Sequence, residues 1–304
     1  MVDRLDAMRL LVTVVEAGTL SAASRRLGTP LPTISRRIAD LEQHLNAKLL
    51  LRSTHGLVPT ETGRLYLAAA RRILEEVDEA ERAVAGEWRT PRGELVVTAP
   101  MVFGRLHMLP TTVAFLAAFP EIYVRLVLSD RNLGLAEGHV DVALRIGALP
   151  DSSLRAIRVG EVRRIAVASP DFLDRHGAPS TPSDLALLSC IAFEGVNADR
   201  IWTFSAPGRD AKITVSICPR LAVDTVEASL DAAIAGVGIA RALTYQCASA
   251  LSAGSLVRVL PAFEPPPFPV HLLHAEREPL PLKLRSFLDH ATVSLRGRLD
   301  HIAI

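Results

Sequence analysis

The sequence predicts an α+β protein of several domains, with a small helical unit at the N-terminus, one long helix, and a larger part in which strands and helices alternate. Three observations predict this. Apolar residues near the N-terminus recur at steps of three and four, the period of an amphipathic helix. One such pattern runs without a break from residue 61 to about residue 88. From Glu94 onward, short apolar runs alternate with helical patterns, as in sheets covered by helices.

The composition is that of a soluble globular protein. The chain has 304 residues, of which 49% are hydrophobic and 22% charged, and its net charge is +1. Residues 1–60 contain eight Lys and Arg against five Asp and Glu, whereas the rest contains 26 against 28. The N-terminal excess modestly favours phosphate contacts. No apolar run reaches the roughly 18 residues that span a bilayer, and no signal-peptide core is visible, so we expect a cytoplasmic protein.

The stretch 19–35 predicts two helices joined by a tight turn. Ser21 is the predicted N-cap of the first helix, and Gly28 is expected to end it in the left-handed conformation. Pro30 and Pro32 then fix the entry to the second helix, with Pro32 in its first turn. A further helix, ending at about Ala17, precedes this pair. The positions expected to be buried are Leu5, Met8, Leu11, Val12 and Val15 of the opening helix, and Ala22, Ala23 and Leu27 of the next.

The second helix of the pair has the pattern of a DNA-reading helix. Ile34, Ile38, Leu41 and Leu45 share one face, and the opposite face carries short polar residues and arginine at its N-terminal end, which suits the major groove. Residues 48–60 then form two extended runs around a turn, which predicts a β-wing. The alternatives are an ordinary helical pair and a plain surface hairpin. The residues expected to contact DNA are Ser21, Arg25, Pro32, Thr33, Ser35, Arg36, Arg37, Arg52, Thr54 and His55.

The long helix is predicted from Glu61 to Trp88, with Thr60 as its cap. Its apolar residues alternate by four and three, the pattern of a two-stranded coiled coil about 40 Å long. A dimer suits a two-fold symmetric DNA site. The alternative is a lone helix packed on its own domain. The break at 90–93 marks a domain boundary. The predicted seam positions are Tyr66, Ala70, Ile73, Val77, Ala80 and Val84.

The second part is predicted to contain open, mostly parallel sheets, which bind ligands beyond the C-terminal ends of their strands. The predicted strands are Leu95–Ala99, Ile122–Leu128, Val142–Ile146, Arg163–Ala168, Cys190–Phe193, Ile213–Ile217 and Gly238–Ala242. The predicted helices are Phe103–Ala118, a short one near Leu133–Glu137, Asp171–His176, Thr225–Ala235, Tyr245–Ser252 and Pro281–Arg298.

With these elements in place, residues 5–63 resemble the winged helix–turn–helix of LysR-type transcriptional regulators. The resemblance is carried by SAASRRLGTPLPTISRRIADLEQHLNAKLLLRST and the following PTETG. The second part resembles the family's two-lobed, periplasmic-binding-like effector domain, through ELVVTAP, FGRLHMLP, EGHVDVALRIGALPDSSLRA, ASPDFLDRHG, AAIAGVGIA and LPLKLRSFLDHA. The sequence departs from the family where Pro30-Leu31 replaces a common Ser-Gln and where His55-Gly56 replaces basic wing residues.

The resemblance implies a regulator that reads an interrupted inverted repeat in double-stranded DNA. It implies dimers or tetramers, a small-molecule effector between two lobes, and RNA polymerase as a further partner. The implied domains are residues 1–60 for DNA binding, 61–90 for the linker helix, and 91–304 for the effector domain. The lobes would comprise about 91–165 plus 267–304, and 166–266.

Two strand-to-helix junctions have chemistry that suits a small ligand. Free N–H groups beyond Ala99 favour an anionic or polar group, and Arg145 could pair with a carboxylate. The alternatives are packing, a structural ion pair at Arg145, and helix caps at Asp130 and Asp224. The candidate effector residues are Ala99, Pro100, Met101, Val102, Phe103, Asp130, Arg145, Ile146, Phe193, Asp224 and Thr225.

No catalytic, cofactor or metal pattern is apparent, so we expect no enzyme. The pair His271 and His274 lies in an apparent strand, where residues three apart face opposite sides. The competing hypotheses are a cytoplasmic solute receptor without sequence-specific DNA binding and an α/β enzyme with an appended helical domain. Surface positions are expected for His107, His139 and His176, and reduced buried thiols, rather than a disulfide or zinc site, for Cys190, Cys218 and Cys247.

Overall fold

The computed structural model divides the chain into two compact units, Met1–Gly93 and Glu94–Ile304. It describes residues 3–53, 56–85, 90–130, 140–149, 154–193, 200–208, 211–276 and 280–300. The first unit contains the helices α1 (Arg4–Ala17), α2 (Leu20–Leu27) and α3 (Leu31–His44), the strands β1 (Leu50–Ser53) and β2 (Gly56–Pro59), and the helix α4 (Glu61–Ala85). The predicted order of elements in this unit is therefore observed.

The turn between α2 and α3 forms as predicted, but the cap of α2 does not. Gly28 has φ 62° and ends α2, and Pro32 lies in the first turn of α3. The N-cap is Thr19, whose side chain accepts a hydrogen bond from the N–H of Ala22 at 3.1 Å. The prediction of Ser21 as the cap was wrong because the helix begins one residue earlier, at Leu20.

Of the α1 positions expected to be buried, only Leu11 is fully buried, so most of the apolar face was predicted in the wrong phase. The buried residues are Ala7, Leu10, Leu11 and Val14, whereas Leu5 is 36% exposed. The second half of this helix is apolar on nearly every side, so its periodicity alone does not select the buried face. Leu27, also expected to be buried, is 41% exposed.

The hairpin β1–β2 is antiparallel, as the wing prediction requires, with Ser53 paired to Gly56. It docks on the turn between α1 and α2, where the N–H of Leu57 donates to the carbonyl of Gly18 at 2.9 Å. Gly56 has φ 119°, and a Cβ there would lie 2.6 Å from the Gly18 oxygen. Glycine at this position thus permits a close approach of two backbones.

The helix α4 starts at the predicted cap. The hydroxyl of Thr60 accepts from the N–H of Gly63 at 2.8 Å and donates to the carbonyl of Lys48 at 2.7 Å. Among the described residues of α4, the apolar Leu67, Ala70 and Leu74 are buried, and the helix packs along α1. Among the predicted seam residues, Ala70 is buried while Tyr66, Ile73 and Val77 are half-buried.

The second unit contains two lobes. The first has the helices α5 (Met101–Ala118) and α9 (Leu282–Asp300) and a five-stranded sheet in the order β4-β3-β5-β14-β6. Its strands are β3 (Gly93–Ala99), β4 (Ile122–Leu128), β5 (Val142–Ile146), β6 (Leu154–Val162) and β14 (Phe268–Ala275).

The second lobe has a three-stranded sheet, β12-β7-β13, and a parallel pair, β11-β8, which a bridge between Cys190 and Ile239 connects. A hairpin, β9–β10, lies beside them. The strands are β7 (Arg164–Ala168), β8 (Ser189–Phe193), β9 (Ile201–Ser205), β10 (Lys212–Ser216), β11 (Cys218–Val223), β12 (Ala240–Leu243) and β13 (Val257–Val259). The helices are α6 (Pro170–His176), α7 (Val226–Ile234) and α8 (Thr244–Ser252).

The expectation of mostly parallel sheets was wrong. Parallel pairing joins β3 to β5 and β11 to β8, whereas β14 is antiparallel to both of its neighbours and β7 is antiparallel to β12 and β13. The chain leaves the first lobe through β6 and returns through β14, which places two opposed strands side by side. The helix predicted near Leu133–Glu137 lies outside the described residues.

One apolar core extends through both lobes. It includes Phe103 and Phe287 of the first lobe and Leu230 and Tyr245 of the second. A separate core lies around Trp202 in the second lobe. By length and hydropathy α5 would suit a membrane span, as would α1 with α2 if their 119° bend formed one span. However, α5 carries fully buried core residues such as Phe103.

Candidate functional site

The first candidate site is the exposed N-terminal face of α3. Ile34, Ile38 and Leu41 are buried against α1 and α2. Pro32 and Arg36 are exposed, and Thr33 and Ser35 are half-buried beside them. Because the apolar residues anchor one side of α3, the polar residues of its first two turns are held outward as a group.

Four arginines near this face divide into two kinds. Arg26 is paired with Glu16 at 3.2 Å, and Arg37 is paired with Asp6 on α1. Arg25 and Arg36 are exposed and have no ion-pair partner among the described residues. Arg25 and Arg36 are therefore the better placed of the four to contact DNA, since no carboxylate among the described residues holds them.

A buried carboxylate fastens α3 to the wing. Glu42 is 8% exposed, and its carboxylate accepts from Lys48 Nζ at 2.6 Å and from the backbone N–H groups of Leu49 and Leu50 at 2.8 and 3.2 Å. Burial raises the pKa of Glu42, but these hydrogen bonds together outweigh it, so the net pKa lies below the ordinary value. The sequence analysis did not predict that Glu42 joins α3 to the wing. The signal that could have indicated it is an acidic residue directly after Leu41, a position expected to be buried.

The remaining predicted DNA contacts are in part outside the described residues. Ser21 is exposed on α2. The backbone of Arg52 pairs with Leu57 in the wing, but its side chain, like all of Thr54 and His55, lies outside the part of the chain that is described.

The second candidate site lies at the strand ends of the two lobes. In the first lobe, β3 and β5 are parallel neighbours, so the ends at Ala99 and Ile146 share one edge of the sheet. In the second lobe, Phe193 pairs with Val223, so it lies beside Asp224 at the corresponding edge. Two groups of the predicted residues are thus brought together, one on each lobe.

The start of α5 differs from the prediction of a free anion-binding N-terminus. The N–H of Met101 donates to the carboxylate of Asp130 at 3.0 Å, so the chain's own anion occupies that donor. Met101 is 49% exposed, whereas Ala99, Val102 and Phe103 are buried. Of these residues only Met101 presents a largely exposed side chain; Pro100 is half-buried.

The other predicted effector residues are mostly accessible. Asp224 and Thr225 are exposed, and Thr225 rather than Asp224 caps α7, accepting from the N–H of Ala228 at 3.3 Å. Phe193 is 36% exposed. Arg145 and Ile146 are half-buried, and desolvation by burial lowers the pKa of Arg145.

An aromatic and ionic contact between the lobes was missed. Phe103 and His107 of α5 lie 5.1 and 5.7 Å from the ring of Tyr245 on α8, and Arg105 lies 3.7 Å from Glu227 on α7. Burial raises the pKa of Tyr245, and the nearby carboxylates of Asp130 and Glu227 raise it further, although a hydrogen bond with Gln246 opposes this. Tyr245 lies just after the end of β12. The expectation that ligands bind beyond the C-terminal ends of strands should have drawn attention to it.

His107 was predicted at the surface, but it is 8% exposed. It lies in a π-helical turn, Gly104–Met108, inside α5. Neither ring nitrogen has a hydrogen-bond partner among the described residues. Burial lowers the pKa of His107 to about 4, and the positive charge of Arg298 contributes. His176 is exposed as expected, and His139 lies outside the described residues.

No group of His, Cys, Asp or Glu within the described ranges could hold a metal ion. Cys190 and Cys247 are buried free thiols, but Cys218 is exposed, which corrects the expectation of three buried thiols. Burial raises the pKa of Cys190 to about 12. The first unit thus offers a polar, arginine-bearing helix face, and the second offers one group of predicted residues at a strand-end edge of each lobe.

Comparison with known proteins identifies both units. A family model for the bacterial regulatory helix-turn-helix protein, lysR family, matches residues 5–64, and one for the LysR substrate binding domain matches residues 89–295. The chain belongs to the LysR family.

Individual LysR-family proteins resemble the chain along almost its whole length. A transcriptional repressor of Pseudomonas aeruginosa is 31% identical and covers 94% of this chain and 90% of its own. The transcriptional activator AaeR of Escherichia coli is 30% identical over 95% and 93%. The structure of CrgA, a LysR-type regulator from Neisseria meningitidis, aligns with a TM-score of 0.61 at 29% identity, over 95% and 98%.

The protein is therefore a LysR-type DNA-binding transcriptional regulator with an effector-binding domain. DNA, a small-molecule effector and further copies of the chain are its partners. The fold expected from the resemblance, an N-terminal helix–turn–helix followed by a two-lobed domain, is confirmed.

Proposed function

We propose that this LysR-type regulator reads an interrupted inverted repeat, with the α3 helices of two subunits in successive major grooves. The supporting observation is the outward face of α3, where Arg36 is exposed beside Pro32, Thr33 and Ser35 and has no carboxylate partner among the described residues. Residues 1–60 would bind DNA, 61–90 would join subunits, and 91–304 would bind the effector.

Each predicted DNA contact has a distinct task in this proposal. Thr33, Ser35 and Arg36 reach base edges, because they occupy the first two turns of α3. Arg25 and Ser21 bind phosphate, and the wing residues Arg52, Thr54 and His55 contact the backbone or minor groove nearby. Arg37 contributes less than Arg36, since Asp6 already holds it.

The proposal is tested by binding of the full-length protein to its own upstream intergenic DNA, against scrambled DNA, over a salt series. We expect a preference for the native fragment and a steep loss of affinity with salt. Arg36→Ala should weaken binding to the native fragment by roughly 1–3 kcal/mol and reduce the preference for it over scrambled DNA. The adjacent Arg37→Ala is the matched control and should leave that preference nearly unchanged.

The role of α3 would be contradicted if the Arg36→Ala variant bound native DNA as tightly as the unaltered protein does, with the same preference over scrambled DNA. Binding to no fragment, with or without candidate effectors, would favour the alternative of a small-molecule receptor that does not read DNA. In that case the second unit could still bind its small molecule, so the function of each unit would be tested on its own.

We further propose that the effector sits between the lobes, against Met101 and Asp130 of the first lobe and Phe193, Asp224 and Tyr245 of the second. The supporting observation is that these residues lie at strand ends of both lobes, where open sheets bind ligands. Binding there would change the contact between Arg105 and Glu227 and so the placement of subunits on DNA. The relatives' names support a cytoplasmic regulator rather than an enzyme.

A thermal-shift screen of small molecules, followed by footprinting on the native fragment, tests this site. An authentic effector should raise the unfolding temperature and change the footprint, and Met101→Asp should abolish both responses. Met101 is 49% exposed, so the variant should fold. An effector response that survives this substitution would contradict the placement.

A further inference from the structure

The chain exposes a short apolar segment where the turn after α2 leads into α3. Pro30, Leu31 and Pro32 are all exposed, and the large apolar residue among them, Leu31, is 40% exposed. These side chains contain only carbon and hydrogen, so they can form neither hydrogen bonds nor ion pairs. A partner that binds this segment must therefore offer an apolar group of its own.

Hydrogen bonds on both sides of the segment fix its position. Before it, Ser24 Oγ donates to the carbonyl of Thr29 at 2.6 Å, and the N–H of Thr29 donates to the carbonyl of Ser24 at 3.2 Å. After it, the N–H of Thr33 donates to the carbonyl of Pro30 at 3.0 Å. Leu31 is thus held in place before any partner arrives, which lowers the entropy cost of binding.

The same residues make the start of α3 poorly suited to phosphate. Helix N-termini bind phosphate through free backbone N–H groups. Pro30 and Pro32 have no N–H, and the N–H of Thr33 already donates to the carbonyl of Pro30. At most the N–H of Leu31 remains in this stretch, so carbon atoms are the main surface that the first turn offers.

Leu31 extends the base-reading surface that we propose for α3. It is the first residue of this helix, and in helix–turn–helix proteins the N-terminal residues of the second helix contact base edges in the major groove. Ser35 follows four residues later, so the two side chains lie one above the other on the same side of the helix. A base edge that meets Ser35 therefore has a neighbour that meets Leu31.

The chemistry of leucine selects one feature of the major groove. Every base pair presents hydrogen-bonding atoms there, and thymine adds a methyl group at C5. Leucine against a polar base edge would displace water without replacing its hydrogen bonds, which costs free energy. Leucine against the thymine methyl buries apolar surface on both partners, which is favourable.

We propose that Leu31 reads the 5-methyl group of one thymine in each half-site of the operator. Leu31 is then a residue that determines specificity, next to the polar contacts of Thr33, Ser35 and Arg36. The inference rests on the proposed function, in which α3 lies in the major groove. It adds the identity of one base to that function.

The first measurement is a selection of duplexes from a random library by the full-length protein, which requires no known operator. We expect an inverted repeat with one thymine in each half-site that depends on Leu31. Leu31→Ala should lose the preference at that position and keep the others. Leu27→Ala is the matched control, because Leu27 is equally exposed, at 41%, but is the last residue of α2. It should still select the thymine.

The second measurement removes the methyl group alone. Deoxyuridine at the selected position still pairs with adenine but lacks the methyl. Binding by the unaltered protein should weaken about fourfold for each half-site, the effect expected from exposing one buried methyl group. The Leu31→Ala variant should bind both duplexes equally. Deoxyuridine at a thymine outside the protected region is the control for the DNA.

Leu31→Gln tests whether the contact is apolar. Glutamine has a similar length and is readily accepted at an exposed helix position, so this variant should fold. Its amide can bond adenine but gains nothing from a methyl group. We expect it to select a different base at the same position and to bind the thymine and uracil duplexes equally.

The proposal is overturned if removal of the methyl weakens binding equally in the unaltered protein and in Leu31→Ala. It is also overturned if the two proteins select the same sequences, a result that would favour a protein partner for the apolar segment. Enriched half-sites without a thymine that depends on Leu31 would overturn this inference alone. A selection that enriches no sequence would overturn the proposed function and this inference together.

Discussion

At the scale of single residues, buried charge determines where this protein is most sensitive. Glu42 is an ionised group that is almost entirely enclosed, and it is tolerated because three donors converge on it. His107 is enclosed without any described partner, so its neutral form is favoured. At low pH the carboxylate of Glu42 loses its charge and the imidazole of His107 gains one, and both changes destabilise the folded protein.

Replacing Glu42 by Ala should lower the free energy of unfolding by roughly 2–4 kcal/mol, because Leu49 and Leu50 would lose the acceptor of their N–H groups. Urea unfolding at neutral pH measures this. The pKa of Glu42 is lowered in the folded state, so its contribution is present above its unfolded pKa and disappears as pH falls through the folded pKa. Asp40→Ala, at an exposed position of the same helix, should change stability by less than about 0.5 kcal/mol.

His107→Leu should make stability less dependent on pH between about 6.5 and 4. The folded state disfavours the charged form, so the unfolded chain binds more protons in this range and stability falls with falling pH. Leucine cannot be protonated, so the variant should not lose this part of its stability as the pH falls. Thermal unfolding across this pH range measures the effect, with the exposed His44→Gln as control. A variant as acid-sensitive as the unaltered protein would contradict the assignment.

At the scale of elements, close backbone contacts in the first unit explain sequence features that periodicity does not. Gly63 lies against Leu49, the residue before β1, and a Cβ there would be 2.0 Å from the carbonyl oxygen of Leu49. The T-x-x-G pattern thus combines a helix cap at Thr60 with a glycine at position 63, where the backbone of Leu49 leaves no room for a Cβ. Its family position was visible in the sequence, but the contact partner was not, since residues 49 and 63 meet only in the folded unit.

Gly63→Ala should destabilise the first unit by roughly 2 kcal/mol or more, because the backbone of Leu49 or the start of α4 must shift. The same shift should weaken the pairing of Ser53 with Gly56 in the wing and lower the affinity for DNA. Thermal unfolding measures the loss of stability, and DNA binding measures the loss of affinity. Gly28 is a useful comparison, as a Cβ there would meet no atom within 4 Å, although its φ of 62° disfavours other residues.

The helix α4 has two apolar faces with different expected tasks. Leu74 is buried within the unit, whereas Ile73 is half-buried on the predicted seam. Ile73→Glu should shift the protein toward monomer in sedimentation while its unfolding temperature changes little. Leu74→Ala should cost about 2–4 kcal/mol of stability and leave the subunit contact intact. The reverse pattern would contradict a coiled-coil seam.

The element boundaries show which kinds of structure the sequence could predict. The strongly alternating strand β4 and the short, largely apolar strand β5 were predicted at their observed bounds. The strands β6, β9, β11 and β13 were missed, and β11 illustrates why: it carries proline and arginine and is half-buried at every second residue only. Its pairing with β8 is decided by tertiary contact. The phase of α1 was predicted wrongly for the opposite reason, since apolar residues lie on most sides of the second half of that helix.

At the scale of the whole molecule, the apolar core that extends through both lobes joins them in one folding unit. Leu230 and Tyr245 of the second lobe share this core with Phe103 and Phe287 of the first. Two connections, β6 to β7 and β13 to β14, carry the chain between the lobes. The two-lobed arrangement was predicted from the resemblance, but the shared core was not visible in any single segment.

Phe287→Ala in α9 should therefore destabilise the second lobe as well as the first. Phe287 is fully buried, and its loss should cost roughly 3–5 kcal/mol. In a Trp88→Phe background, fluorescence of the buried Trp202 reports on the second lobe. Its urea midpoint should fall together with the midpoint seen by circular dichroism of the effector domain. An unchanged Trp202 midpoint would show that the lobes unfold independently.

The contact between Gly56 and Gly18 limits how this regulator can be redesigned. The wing rests on the turn after α1, Glu42 ties α3 to β1, and Gly63 rests on the residue before it. Exchanging α3 alone for that of another regulator would remove Glu42 and with it the tie to the wing, while the wing would remain fixed to the turn after α1. A transplant that changes operator choice should therefore carry residues 3–63 as one piece, with the recipient's own chain resuming inside α4.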